Sequence, residues 1–251
     1  MNTPQEYGST STTTVSGSTS TTSTAEIKQY ATHKIARKWY TPYLISISFI
    51  TGLIDATTVL GLDGVFVANQ TGNLIYFAIG IGSPPQRGLI ARAGLSLFTY
   101  CLGGFLGSRI ANTSHIKGLN SRVWMTLSSL ILVGLLVLST ALLWTDAVTT
   151  KNFSYLAVVA VLGLGVGLQV VTSRGLGVSE ISSNVLTGTF TDLFGDLNLF
   201  KLHNEKRNRR IGAIVSMFLG ALIGAFASAY GHPAIPLVIS AGIHADWPCA
   251  S

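Results

Sequence analysis

Three stretches of this chain, residues 123–144, 153–172 and 211–231, each run 20 residues or more without one charged side chain. A helix rising 1.5 Å per residue needs about 20 apolar residues to cross a hydrocarbon layer ~30 Å thick. Charged residues make up 10% of the chain and mean hydropathy is +0.49, whereas a soluble domain is about a quarter charged. The pattern predicts an all-α, polytopic transmembrane bundle. A transmembrane β-barrel would show short alternating segments instead.

The net charge of +6 does not point to nucleic acid, because most basic residues stand at segment ends, as cytoplasmic anchors do. Residues 1–38 form a Ser/Thr-rich tail that cannot bury apolar surface and reads as disordered and cytoplasmic. Lys28, Lys34, Arg37 and Lys38 precede the first apolar segment. That tail has no basic n-region followed by an apolar core, so it is not read as a signal peptide. Membrane segments are expected at about 41–62, 65–82, 88–110, 123–144, 153–172, 184–200 and 211–231, with a short apolar tail at 234–243.

Several short matches recur in the same order. Thr71-Gly72 returns as Thr187-Gly188, "LGGFLG" at 102–107 as "LGALIG" at 219–224, and Arg92-Ala-Gly as Arg210-Ile-Gly. "GLID" at 52–55 returns as "GVGLQ" at 165–169, which sets Asp55 opposite Gln169. The offsets lie between 114 and 118, so the chain divides into two related halves, 39–145 and 146–251. The last helix of the second half reads as truncated: Pro233, Pro236 and the polar "HADWPCAS" argue against its extension.

Residues 68–73, "ANQTGN", are polar and helix-weakening inside an otherwise apolar length, and "SNVLTGT" at 183–189 is their counterpart. Unwound backbone at membrane depth is tolerated only where protein or a water-filled cavity surrounds it. Paired broken helices are how many transporters build midplane sites. The candidate solute or ion pathway therefore comprises Asn69, Thr71, Gly72, Asn73, Gln169, Thr187, Gly188 and Thr189. The plainer reading is helix capping and polar interhelical contact, each worth under about 1 kcal/mol.

Asp55 joins the pathway because a carboxylate near the bilayer centre costs at least ~2.5 kcal/mol and by default marks proton or cation coupling. If the first helix ends early, Asp55 is interfacial instead. Asp192, one turn beyond Gly188, is either a pathway residue or solvated at a helix end; Asp196 reads as solvated. Arg174 and Glu180 read as loop residues.

Gly103, Gly107, Gly163, Gly167, Gly220 and Gly224 form small-residue ridges that let backbones approach closely, either inside a compact bundle or at the seam of a homo-oligomer. "KLHNEKRNRR" at 201–210 reads as a cytoplasmic loop and could meet anionic lipid. Asn112 and Asn152 head glycosylation-like triplets. No nucleophile elbow, HExxH, P-loop or His/Cys ligand cluster is present, so no enzyme activity, cofactor or metal is expected.

Two topologies fit. If 65–82 and 184–200 span, each half has four spans in parallel repeats and 12 of the 16 Lys and Arg face inside. If both re-enter, each half has three spans, the repeats are inverted, and 13 face inside.

Gly52, Asp55, Ala56, Phe66, Val67, Thr71, Gly72 and Asn73, with Gly167-Leu168-Gln169 and Thr187-Gly188-Thr189, resemble the two signatures of the YoaK-like family of multi-pass membrane proteins, which carry domain of unknown function 1275. The likeness covers about residues 40–235. The Ser/Thr-rich leader resembles those of fungal relatives. The resemblance implies a membrane location and names no substrate. From the residues themselves, the expected function is secondary transport of a small solute or ion, with membrane lipid as the surrounding partner. The alternative is a structural or assembly factor whose polar motifs lock helices together.

Overall fold

The computed structural model describes residues 36–113, 116, 118–145, 154–178, 180–181 and 186–250. The Ser/Thr-rich leader, Asn152 and residues 183–185 of the second polar motif lie outside these. Eight α-helices and no strand occur among the described residues. They are α1 (Tyr40–Gly61), α2 (Gln70–Gly82), α3 (Gly88–Ala111), α4 (Arg122–Trp144), α5 (Tyr155–Gly175), α6 (Leu186–Phe194), α7 (Glu205–Tyr230) and α8 (Ile235–Ala250).

Five helices, α1, α3, α4, α5 and α7, are long and apolar enough to cross a membrane. At 1.5 Å per residue, the 13 residues of α2 reach ~20 Å and the nine of α6 ~14 Å, both short of a bilayer. After α7 comes a 16-residue helix, α8, where the sequence suggested an apolar stretch of ten residues. Pro236 sits in its first turn, where the missing N–H has no intrahelical role. Helix α7 begins six residues before its apolar run, because Asn204 caps it by accepting the Arg207 N–H (3.0 Å) and Glu205 occupies its first turn.

Helix directions follow from the contacts. On α7, the Ser216 hydroxyl donates to the Ile45 carbonyl (3.0 Å), Gly220 and Gly224 lie against the Phe49 and Leu53 carbonyls, and Ser228 meets Thr57 at 3.5 Å. α1 and α7 are therefore parallel. Helices α3 and α5 are parallel too, with Gly163 on Thr99, Gly167 on the Tyr100 carbonyl, Gly103 on the Leu164 carbonyl and Gly107 on Leu168. A Cβ at Gly103, Gly167 or Gly220 would collide with backbone, so both seams require glycine. The Gly212–Gly224 ridge of α7 is thereby covered by α1, not left for a second copy.

Trp124, at the start of α4, donates to the Thr172 hydroxyl near the end of α5 (3.0 Å). Trp144, at the end of α4, meets His232 just before α8 at a 37° tilt, and Tyr43 meets Trp247 edge-on at 5.3 Å. Hence α1, α4 and α7 point one way and α3, α5 and α8 the other. Both ends of the segment carrying α2 lie at one end of the bundle, and both ends of the segment carrying α6 at the opposite end. Helices α1 and α5 are central, with 61% and 67% of their apolar windows buried against 17–33% for α3, α4 and α7. The outer helices turn side chains such as Phe98, Leu130, Phe218 and Phe226 outward.

Candidate functional site

The chain turns back after α1. Asp63 and Gly64 take left-handed φ angles of 63° and 76°, which makes the reversal tight. The segment that follows is not helical until Gln70, although Val65, Phe66, Val67 and Ala68 are apolar. Its backbone needs partners, and Asp55 supplies three. One carboxylate oxygen accepts the N–H groups of Val67 (2.9 Å) and Ala68 (2.8 Å), and the other accepts that of Asn69 (3.2 Å). The Asp55 charge thus answers the positive end of α2 and sits where hydrogen bonding stabilises it.

Asn73 completes the turn. It is fully buried; its two amide N–H groups are shared among the Phe66 carbonyl (2.7 Å), the Gln70 side-chain oxygen (3.0 Å) and the Ser96 hydroxyl (3.0 Å), and its oxygen accepts the Phe66 N–H (3.3 Å). Gln70 donates to the Val67 carbonyl (2.7 Å), and Asn69 caps α2 by accepting the Gly72 N–H (3.4 Å). The polar run therefore divides. Gln70 and Asn73 hold the break in place, while Thr71 and Gly72 stay on the open side. Asp55 stands six residues before the end of α1, roughly 9 Å along it, so α2 starts at depth. It ends beside the first turn of α3, where Gly80 lies against Ile90.

Helix α6 likewise runs toward the base of its neighbour. Arg210 of α7 pairs with Asp192 (3.8 Å) and Asp196 (3.4 Å). Asp196 also accepts the Asn204 amide (2.9 Å) and the Asn198 N–H (2.9 Å). The Asn204 donor first, then the Asn198 N–H and the nearby Arg210, hold its carboxyl below the ordinary carboxylate value.

A cavity of about 600 Å³ brings the two motifs together. Asp55, Asn69, Thr71 and Gly72 line it from one side, Leu186, Thr187 and Phe190 from the other, and Gly52, Ala56, Met217 and Ala221 form its back wall. Volume and lining suit a small-molecule site: mostly apolar, with a few polar groups converging. Among the described residues, Asp55 is its one charged lining residue, and no Lys, Arg or His reaches it.

Asn73, Gln169, Gly188, Thr189 and Asp192 are not in the lining. Thr189 is buried. Gln169 is buried beside Ile54, Leu132 and Val166, and its side-chain nitrogen has no hydrogen-bond partner among the described residues. Asp192 belongs instead to a surface recess shared with Asn198, Lys206 and Arg210. Glu180, read from the sequence as a loop residue, faces Lys206 and Arg209, and Arg174, read the same way, lies in the last turn of α5. Ile75, Phe190 and Met217 line the cavity with no mark in the sequence, and Phe66 stands out there only as part of the family signature, since an apolar residue carries no local sign of facing a cavity. Ser96 was equally silent, though a buried serine in an apolar span is a usable signal.

A family model described as "Protein of unknown function (DUF1275)" matches residues 43–245. The UPF0700 transmembrane protein YoaK of Bacillus subtilis (strain 168) is 29% identical over 201 residues, covering 75% of this chain and 84% of that protein. No solved structure matches. The family match across most of the chain, the transmembrane relative and the five long apolar helices lead to one conclusion: this chain is a multi-pass membrane protein of the DUF1275 family.

Proposed function

We propose that the protein is a secondary transporter for a small uncharged or cationic solute, and that the cavity between α2 and α6 is its binding site. The observation that carries this reading is the shared lining: Thr71-Gly72 and Thr187 are 116 residues apart yet border one space. The charge class follows from the single carboxylate and the absence of basic residues among the described residues of the lining, which disfavour an anion. Hydroxyls of Thr71 and Thr187 and the Asn69 amide orient the solute, and Phe66, Phe190 and Ile75 hold its apolar part.

The reading includes an inverted repeat. Gly103 and Gly220 are 117 residues apart, and the carbonyls they face, Leu164 and Phe49, are 115 apart; Gly107 and Gly224 keep the same offsets on Leu168 and Leu53. In that register Gln169 corresponds to Ile54, not to Asp55, so Asp55 has no polar counterpart. α2 and α6 are then re-entrant from opposite faces, with halves at about 39–145 and 146–251. This arrangement puts 13 of the 16 Lys and Arg on the side of the N-terminus, which favours a cytoplasmic N-terminus. The Ser/Thr-rich leader favours a fungal member of the family. Bilayer lipid is the partner that suits the outward apolar side chains; nothing further supports a homo-oligomer.

The second reading, a structural or assembly factor, draws support from Asp55 and Asn73, whose polar atoms are engaged in holding the chain. The two readings part on solute binding. Purified protein is screened for melting shifts with neutral, cationic and anionic small solutes, alongside Thr71→Val and Thr187→Val. Transport requires that a neutral or cationic solute stabilise the native chain and that both variants, still folded, lose the shift. Equal indifference of all three proteins to every solute favours the structural reading.

A further inference from the structure

Two ion pairs stand outside the cavity, at opposite ends of the bundle. Asp63, in the turn that leaves α1, pairs with Arg92 of α3, and the Tyr155 hydroxyl donates to the same carboxylate at 3.3 Å. Glu180, just after α5, faces Arg209 of α7 at 4.0 Å, with Lys206 at 3.9 Å. The pairs correspond residue for residue. Asp63 and Glu180 are 117 positions apart, and so are Arg92 and Arg209; the register that relates Gly103 to Gly220 thus sets Arg92 against Arg209, one residue before the Arg210 of the sequence match.

What each pair connects is the point. The glycine seams bind α1 to α7 and α3 to α5, backbone against backbone. Such contacts do not slide without collision, so each seam defines a rigid two-helix body. The Asp63–Arg92 pair runs from the α1/α7 body to the α3/α5 body. Glu180–Arg209 runs between the same two bodies at the opposite end. Tyr155, on α5, reinforces the first link across the same divide.

We infer that these two ion pairs are the clasps of two gates, one at each end of the cavity, and that the α1/α7 and α3/α5 bodies rock against each other as one clasp opens and the other closes. The inference rests on the transport reading above. The magnitudes suit a clasp. Side chains of Asp63 and Arg209 are 48% and 35% exposed, so neither pair is sealed in a dry interior. Partly exposed pairs contribute little, so one breaks without unfolding the chain yet still biases a balanced equilibrium. The two ends also differ in their partners: Asp63 joins Arg92 and Tyr155, whereas Glu180 is shared between Lys206 and Arg209, and Arg209 also donates to Glu205 on its own helix at 3.4 Å.

The test places one cysteine at Thr71, facing the cavity, in a chain carrying Cys101→Ser and Cys249→Ser, reconstituted in vesicles of known orientation. A membrane-impermeant thiol reagent is added to one face at a time. Asp63→Asn is chosen because asparagine tolerates the positive φ at that position. It should raise labelling from the Arg92 end about twofold to fivefold and lower it from the other, given the usual strength of such pairs. Arg92→Gln should do the same and Arg92→Lys should not. Glu180→Gln should shift labelling the opposite way. If neutralisation changes both faces equally, or neither, the pairs are structural ties and the gates are refuted while the cavity stands. If no variant labels from either face, the transport reading falls and the gates with it.

Discussion

Replacing Asp55 by alanine removes the acceptor of three backbone N–H groups at once. Val67 and Ala68 are buried, at 0% and 3% exposure, so their N–H groups have no water to turn to; Asn69 is exposed and does. Each buried N–H left unpaired costs about 1–3 kcal/mol, so two give roughly 2–6 kcal/mol. Part of this is returned, because the buried carboxylate no longer has to be desolvated. A net loss of about 2–4 kcal/mol is expected, a large share of the 5–15 kcal/mol that typically holds a domain folded. Asp55→Asn keeps one acceptor oxygen but turns an amide donor toward donors, so it should lie between wild type and alanine. Reversible unfolding in mixed micelles gives the free energies, and limited proteolysis at 62–69 reports the local loosening. Thr71→Val, on the open side of the same segment, is the control and should stay within about 0.5 kcal/mol. An Asp55→Ala protein as stable as wild type, with 62–69 still protected, would mean that the carboxylate does not organise the break.

Other expectations follow from the same geometry. Gly103→Ala and Gly220→Ala each drive a methyl into a facing backbone carbonyl and should cost about 1–3 kcal/mol apiece, whereas Gly134→Ala, with open space around it, should be neutral or stabilising by up to about 1 kcal/mol in the same unfolding assay. Asn73→Ala takes the acceptor from the Phe66 N–H, while the Phe66 carbonyl keeps the Ser96 hydroxyl, and should cost about 1–3 kcal/mol by the same measurement. Asp196, with its folded pKa lowered, stabilises the 195–204 turn above the ordinary carboxylate range and loses that contribution as pH falls through its lowered folded value. Proteolysis of that turn should therefore rise at acid pH in wild type and be pH-independent over the same window in Asp196→Asn.

The long spans are legible because a charge-free run of 20 residues has few ways to be stable other than as a membrane helix. Their starts and ends are found to within three residues for α1, α3, α4 and α5. Helix α2 is the instructive miss. An apolar Val65–Ala68 reads as the opening of a helix, because hydropathy does not separate a buried extended segment from a buried helical one. The partner that pulls it straight, Asp55, acts through backbone N–H groups, which leave no mark in the sequence. Helix α7 starts early for the converse reason: a hydropathy window stops at the charges of 205–210, while the Asn204 cap and Glu205 favour helix there. Helix α6 stops at Phe194 rather than near 200, where the Asp196 hydrogen bonds to Asn198 and Asn204 take over from helix. At the site, Asp55, Asn69 and both Thr-Gly motifs were visible as polar residues out of place. Which of them face the cavity depends on the turn of each helix, and that the surrounding packing decides.

The most direct measurement is a cross-link between cysteines at positions 71 and 187, in the chain without Cys101 and Cys249, combined with labelling of each single cysteine from both faces of the membrane. The proposed function, with two re-entrant helices meeting at one cavity, predicts efficient cross-linking by a short bifunctional thiol reagent and suppression of the cross-link by a solute that stabilises the protein. Failure to cross-link, with both positions reacting freely from the same face, would contradict the shared cavity.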